Sequence, residues 1–430
     1  MPHSQAQVHD RIEFPLRYPY STAAIRRCVR ASDSRDFGID LKADRENLVR
    51  DTLEQAQIDP SPLSRFREVH IKGKKCFHFS EYTTNLITRA TCNYLSQRFR
   101  ITPPNRDRVV KSVIEAMSDA SPFHVIRRDI KSFYENIPIE EMRDRLLFDT
   151  AISKQVRSHL RAYFSILPGS TGLPRGIGLT TILAELAMHQ FDQAVRALPG
   201  VYRYFRYSDD ILILCTDDLG ATESKISELL PAPMKFNLSK SHSRSFFPIK
   251  NNDEMRNFDY LGYNFAANTA SPRKGDPRIC SVTISDSKIR RIKTRLYLSF
   301  KSIRPNEHGL FLNRVRYLSG NYRVDRLPGY FELRGNFTRS GIFYNYKRCG
   351  NHSGPHHRPM SLQQLIELDW FYHNLLSSPK SEFSGVLQSI QPAILAKLRR
   401  ISFHKGHSLK LSAKIPPASI GRIKSIWRNV

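Results

Sequence analysis

The 430-residue sequence has no apolar run approaching the length of a bilayer span, which argues against a transmembrane helix. Its first residues, MPHSQAQVHDRIEF, lack the apolar stretch that directs secretion, so a cytoplasmic protein without membrane attachment is the expectation. Cysteine is scarce. Cys28, Cys76, Cys92, Cys215, Cys280 and Cys349 contain no C-x-x-C pair, which argues against a zinc knuckle and for reduced, partly buried thiols. The histidines around His352, His356 and His357, in CGNHSGPHHRP, fit no standard zinc spacing and read as a polar Gly/Pro-rich loop. There is no internal repeat and no low-complexity tract. Acid is also in short supply: 40 Asp+Glu face 67 Lys+Arg, a formal net charge of +27. That imbalance implies a polyanionic partner, and with no membrane feature nucleic acid is favoured over lipid.

What is present is an ordinary globular content of 40% hydrophobic residues, enough for one large core or two to three smaller ones. Asp44–Gln57 reads as an amphipathic helix ending before Pro60, and Val69–Phe79 as a hairpin around a Gly-Lys turn. Helices are expected at Asn105–Met117 and Ile139–Phe148, with a strand through Val125 and Ile126 leading into Asp129. Thr180–Leu198 reads as one long helix stopped near Pro199 and Gly200. Two strands, VYRYFRY and ILILC, flank Ser208-Asp209-Asp210, and Phe258–Phe265 is a further β element. Beyond Ile284 the pattern becomes helical and strongly basic. From Ser361 onward there are short helical patterns and a basic tail through Lys405, Lys410 and Lys414, suited either to RNA docking or to a disordered solubilising role.

Three segments combine into a chemical constellation. Asp129 ends an apolar strand and is followed by Phe133 and Tyr134. Gly172-Leu173-Pro174-Arg175-Gly176 precedes Thr180 and a helix. Asp209 and Asp210 sit at the tip of an apolar hairpin. Taken singly, Asp209-Asp210 reads as an exposed turn and Asp129 as a helix N-cap. The pair Asp217-Asp218 reads as such a turn. Taken together, adjacent like charges between apolar strands call for a cation. Mg²⁺ prefers oxygen ligands, and three carboxylates can hold two ions about 3.5–4 Å apart. That arrangement serves phosphoryl transfer by charge neutralisation and positioning.

These segments resemble, in order, motifs A to E of the reverse-transcriptase superfamily. DIKSFY is similar to motif A, GLPRGIGLTTILAEL to motif B, RYSDDILIL to motif C, Leu238–Lys240 within FNLSK to motif D and FDYLGY to motif E. The resemblance is strong over about Asn105–Phe265 and loose elsewhere. It implies an α+β right-hand polymerase fold with fingers, an antiparallel palm sheet with helices, and a helical thumb. The implied division is 1–104 for the N-terminal region and fingers, 105–283 for the palm, 284–358 for a basic thumb and 359–430 for a helical basic extension.

By the same resemblance Asp129, Asp209 and Asp210 are the catalytic metal ligands, with Ile130 contributing a backbone carbonyl. The cofactor is two Mg²⁺ ions, with Mn²⁺ as a substitute. Tyr134, with Phe133, matches the position of a steric gate that selects deoxynucleotides; core packing is the alternative. Gly172, Pro174, Arg175, Gly176 and Thr180 match the template and nucleotide loop, although Arg175 stands where many relatives have Gln and Thr180 where Ser is commoner. Lys240 matches the motif D lysine, and an ordinary surface lysine is its alternative. Lys72, Lys74, Lys75 and Arg89 are candidates for the triphosphate. Lys288, Arg291, Lys293 and Arg295, with Arg290 and Lys301, read as a thumb helix gripping phosphates or as a solvated helix face. Tyr317, Tyr322 and Tyr344 are stacking candidates, with core as the alternative.

A maturase region and the VTG signature of retron enzymes are both missing. GLPRG-x₃-T-x₃-AEL, GIFYNY (Gly341–Tyr346) and ELDWFYHNLL (Glu367–Leu376) resemble the bacterial defence-associated, abortive-infection-like branch. This implies an RNA-directed DNA polymerase acting against phage, with an RNA template or non-coding RNA, a DNA product and dNTPs. A partner protein or homo-oligomer stays open. So do a template-independent or protein-primed polymerase of the same fold and a catalytically silent RNA-binding scaffold.

Overall fold

The run Ile211–Cys215 has no polar alternation, so a strand there must be covered on both faces. The computed structural model shows how. It describes residues 18–427 apart from 31–32, 59–65, 72–73, 168–171, 249–253, 271, 274–275, 325–337, 355 and 416–418. Strands β1 (Phe66–Ile71) and β2 (Lys74–Phe79) form an antiparallel hairpin. Strand β3 (His124–Asp129) joins β4 (Val201–Tyr207), β5 (Asp210–Cys215) and β6 (His242–Ser245) in an antiparallel sheet ordered β4-β5-β3-β6. Strands β7 (Met255–Tyr260), β8 (Tyr263–Asn268) and β9 (Ile279–Ile284) begin a second sheet. After the β10 (Asn321–Val324) and β11 (Thr338–Gly341) hairpin, β12 (Gly350–Ser353) and β13 (His356–Arg358) complete it in the order β13-β12-β9-β8-β7. Helix makes up 49% and strand 19%, so the chain is α+β.

Side chains alternate across a strand, and here the two faces feed different cores. Ile126, Ile211 and Ile213 join a cluster with the helices Tyr82–Arg98, Lys154–Ser165 and Gly178–Ala187. Val125, Leu212 and Leu214 join a second cluster with the helix Arg106–Met117, the second sheet and the C-terminal helices. The continuous apolar code of β5 is thus the signature of a strand between two cores.

Several local expectations change in three dimensions. The expected long helix Thr180–Leu198 is two, Gly178–Ala187 and His189–Arg196, separated at Met188. There ψ tightens to −4°, and the second helix turns Phe191, buried Asp192 and Val195 inward. The His-rich segment is not a loop but the β12–β13 hairpin, because Gly350–Ser353 pairs with Ile279–Val282 of β9. His352 and His357 stack there with ring centroids 4.6 Å apart. Asp218 is not a simple turn residue: its carboxylate caps the helix Leu219–Leu229 at Ala221 N. The basic tail is folded, with Phe403, Ile423 and Trp427 buried in the second core. Tyr317 and Tyr322 stack on each other at 4.4 Å, the packing alternative for both. All six cysteines are free thiols, and Cys28, Cys215, Cys280 and Cys349 are buried. Among the described residues no helix is long and apolar enough to cross a membrane.

Candidate active site

The site lies at one end of the four-stranded sheet. Antiparallel β3 and β5 are in a register that sets Asp129 opposite Asp210. Directly opposed residues on one face hold their Cβ atoms about 4.5–5.5 Å apart. The turn between β4 and β5 needs a left-handed residue, supplied by Ser208 at φ 59°, and Asp209 follows it. The Ile130 N–H donates to the Asp209 carbonyl at 3.0 Å, which ties that turn to the end of β3. From the other side, Asn237 N–H donates to the Asp129 carbonyl at 2.7 Å, bringing the segment that carries Lys240 alongside.

Three carboxylates therefore share one neighbourhood, and their electrostatics reflect it. Asp129 is only 6% exposed. Burial, then the Asp210 and Asp129 charges, push the Asp209 carboxyl above the usual carboxylate range. Lys240 Nζ stands 3.5 Å from Asp129 Oδ1, and Arg127 Nη2 donates to Asp210 Oδ1 at 3.2 Å. Among the described residues no three His, Cys, Asp or Glu side chains converge as a finished metal cage. Asp129 and Asp210 are instead drawn toward Lys240 and Arg127. The donor set, all oxygen and anionic in excess, nevertheless fits a hard divalent cation such as Mg²⁺. Ile130 has a buried side chain, so only its backbone can face the cluster.

Tyr134 opens a short 3₁₀ turn, and its hydroxyl lies 3.1 Å from Ser208 Oγ. Phe133 is buried against it, edge to face at 5.0 Å. The glycine loop docks on this turn: Gly172 N–H donates to Ile137 O at 2.9 Å and Leu173 N–H to Tyr134 O at 2.7 Å. Gly172 and Gly176 have φ of +94° and +97°, and a Cβ would lie 2.9 Å from Glu135 O and 2.5 Å from Phe77 O respectively. Only glycine tolerates both demands. Thr180 is buried, donating to Pro174 O at 2.6 Å beside the Tyr163 hydroxyl, so its hydroxyl shapes the loop from beneath. Arg175 forms a two-pronged ion pair with Glu135 at 2.7 and 2.9 Å.

Other candidates sit elsewhere. Arg89 is held by buried Asp33 at 2.7 and 2.9 Å and by Cys28 O, a structural pairing that occupies its fork. Lys75 pairs with Glu68 at 3.3 Å. Lys72 and the Lys74 side chain lie outside the described residues. On the helix Asp286–Lys301, Lys293 covers the Phe371 ring and Arg295 the Trp427 ring. Lys288, Arg291 and Arg295 share with Arg106 a cavity of about 280 Å³ beside Leu261 and Tyr346.

One group escaped the sequence reading. Arg206 is buried and reaches Glu185 at 2.7 Å, Asp192 at 2.8 Å and the Ser208 carbonyl at 3.3 Å, linking a helix pair to the turn that carries Asp209. Its signal was faint: Arg206 shares one face of β4 with Tyr204 by strand alternation, while Glu185 and Asp192 lie seven residues apart in the helical segment before it.

A comparison with curated proteins finds no match. The reverse transcriptase (RNA-dependent DNA polymerase) family matches residues 45–265, a span that includes β1 to β7, the start of β8 and every acidic residue described above at the sheet end. With that match over more than half of its length, the chain belongs to the reverse transcriptase family.

Proposed function

We propose that the chain is an RNA-directed DNA polymerase whose Asp129, Asp209 and Asp210 hold two Mg²⁺ ions, and that it works with a non-coding RNA in defence against phage. The observation that carries the polymerase reading is the register of β3 and β5, which opposes Asp129 and Asp210 beside Asp209. Family membership supports nucleotidyl transfer on a palm-type fold. When bound, Mg²⁺ or Mn²⁺ supplies charge neutralisation on the triphosphate and acidifies the attacking hydroxyl. The chain's own residues do the rest in this reading. The carboxylates fix where that chemistry occurs. Lys240, next to Asp129, carries a proton toward the departing pyrophosphate. Tyr134 walls the sugar pocket and excludes a 2′-hydroxyl. The glycine loop Gly172–Gly176 carries the templating base. Residues 1–104 serve as fingers, 105–283 as palm, 284–358 as thumb and 359–430 as an extension. The defence role rests on the resemblance of GIFYNY and ELDWFYHNLL to the defence-associated branch.

The test is Asp209→Ala. It removes a turn side chain without opening the core, so the variant folds. Mg²⁺-dependent incorporation of dNTPs on a primed RNA template should fall by at least about 10³-fold, as expected when an electrostatic element of the transition state is lost. Retained incorporation overturns the reading. In cells, phage plating efficiency should rise with the same substitution if the defence role holds.

A further inference from the structure

Tyr134 is held on three sides. Its hydroxyl meets Ser208 Oγ at 3.1 Å, its edge meets Phe133 at 5.0 Å, and its face is covered by the Arg175 guanidinium at 5.0 Å. The arginine is itself fixed. Its fork grips both carboxylate oxygens of Glu135, the residue next to Tyr134. Its carbonyl accepts from Phe77 N–H at 2.6 Å, which pins the glycine loop to β2. Leu173 N–H donates to the Tyr134 carbonyl at 2.7 Å, so the backbone beneath the ring is anchored by the same loop.

We infer that the Glu135–Arg175 ion pair is a specificity clamp that immobilises Tyr134 and thereby sets how strictly the enzyme rejects ribonucleotides. This deepens the polymerase reading above and rests on it. A ring excludes a 2′-hydroxyl only while it cannot swing aside. A planar cation fixed over its face resists that rotation, first through attraction to the ring quadrupole and second by occupying the space the ring would sweep. Glu135 supplies the orientation: two nitrogens of the guanidinium end on its two carboxylate oxygens, which holds the plane over the ring. The pair is half exposed on the Glu135 side and adjoins solvent, so it acts by geometry rather than by strong net stabilisation. Glu135 and Arg175 are positioning residues in this scheme, and Tyr134 alone meets the sugar.

The experiment compares kcat/KM for a dNTP and the matching rNTP on a primed RNA template. The full-length chain is tested as wild type, Tyr134→Ala, Glu135→Gln, Arg175→Gln and the double Glu135→Gln/Arg175→Gln. Each single clamp variant should lower the dNTP-to-rNTP ratio about tenfold, the scale of one partly desolvated cation–π contact. The double variant should lower it no further, because both substitutions break one device. Arg175→Lys keeps the charge but not the fork, and should give an intermediate ratio; it also serves if Arg175→Gln does not fold. A ratio unchanged in the clamp variants but collapsed in Tyr134→Ala overturns the clamp and leaves the gate standing. A ratio unchanged in Tyr134→Ala overturns the gate, and the clamp with it. Additive losses in the double variant overturn the single-device claim. A wild-type protein without incorporation overturns the polymerase reading itself.

Discussion

Asp209 carries a cost in its ionised form that protonation or a nearby cation relieves. Its carboxyl is pushed up by burial and by its two acidic neighbours, so ionising it disfavours the folded state. For a raised group, the associated stability is complete below the ordinary unfolded value near 3.9 and is lost as pH rises through the higher folded value. Asp209→Asn removes that loss. In chelator at neutral pH the variant should melt about 1–2 °C above wild type, and the difference should vanish below about pH 4. Adding Mg²⁺ should stabilise wild type more than the variant. Equal response of the two proteins to Mg²⁺, followed by thermal melting, would remove Asp209 from the ligand set. The residue-level reading came from three segments taken together: alone, Asp209-Asp210 reads as a turn, and only with Asp129, the glycine loop and the motif order does the pair point to a cation. The cations that answer them, Arg127 and Lys240, were not both legible. Lys240 came from motif order, whereas Arg127 reaches Asp210 only through the pairing of β3 with β5.

Between elements, the strongest unadvertised link is Arg206. It is buried with Glu185 and Asp192, and Tyr204 donates to Asp192 at 2.6 Å. Removing the cation strands two acids in a low-dielectric site, which typically costs about 3–5 kcal/mol. Arg206→Met, matched in length and uncharged, should lower unfolding stability by that amount in urea titration, and a loss under about 1 kcal/mol would show the network to be dispensable. This network also accounts for the helix break at Met188. A continuous helix reads correctly from Leu179 to Leu186, but Asp192 has to meet Arg206 on β4, and a partner on another element is invisible to helical periodicity. The β12–β13 hairpin was missed for the same reason. Its Gly, Pro and His content is loop-like, and its strand character comes from pairing with β9, some seventy residues earlier in the chain. The β4–β5 hairpin that carries Asp209, by contrast, is legible because strand, turn and strand are contiguous.

At the scale of the whole molecule, the basic C-terminal block is part of the core rather than an appendage. Trp427 is 3% exposed, and its indole N–H donates to the Arg295 carbonyl at 3.1 Å while its ring lies 5.8 Å from Tyr317. It thus joins the last helix to the basic helix Asp286–Lys301. Trp427→Ala should destabilise the chain by about 3–5 kcal/mol, the usual range for deleting a buried aromatic, with a lowered melting temperature as the readout. Unchanged melting would mean that the last helix contributes nothing to the fold. The excess of +27 charges is likewise divided by the fold. Arg89 and Arg206 are spent on buried acids, while Lys288, Arg291 and Arg295 gather with Arg106 around one cavity.

Sequence alone determined the basic charge excess, the apolar strands that flank Asp129, Asp209 and Asp210, and the motif order that led to the α+β expectation, since composition, strand patterning and motif order are properties of the chain itself. Only the tertiary structure decided which cation answers which acid, where the long helix breaks and what holds the Tyr134 ring. Each of those depends on side chains from distant segments meeting, and a contact between remote residues leaves no periodic trace in the order of the amino acids.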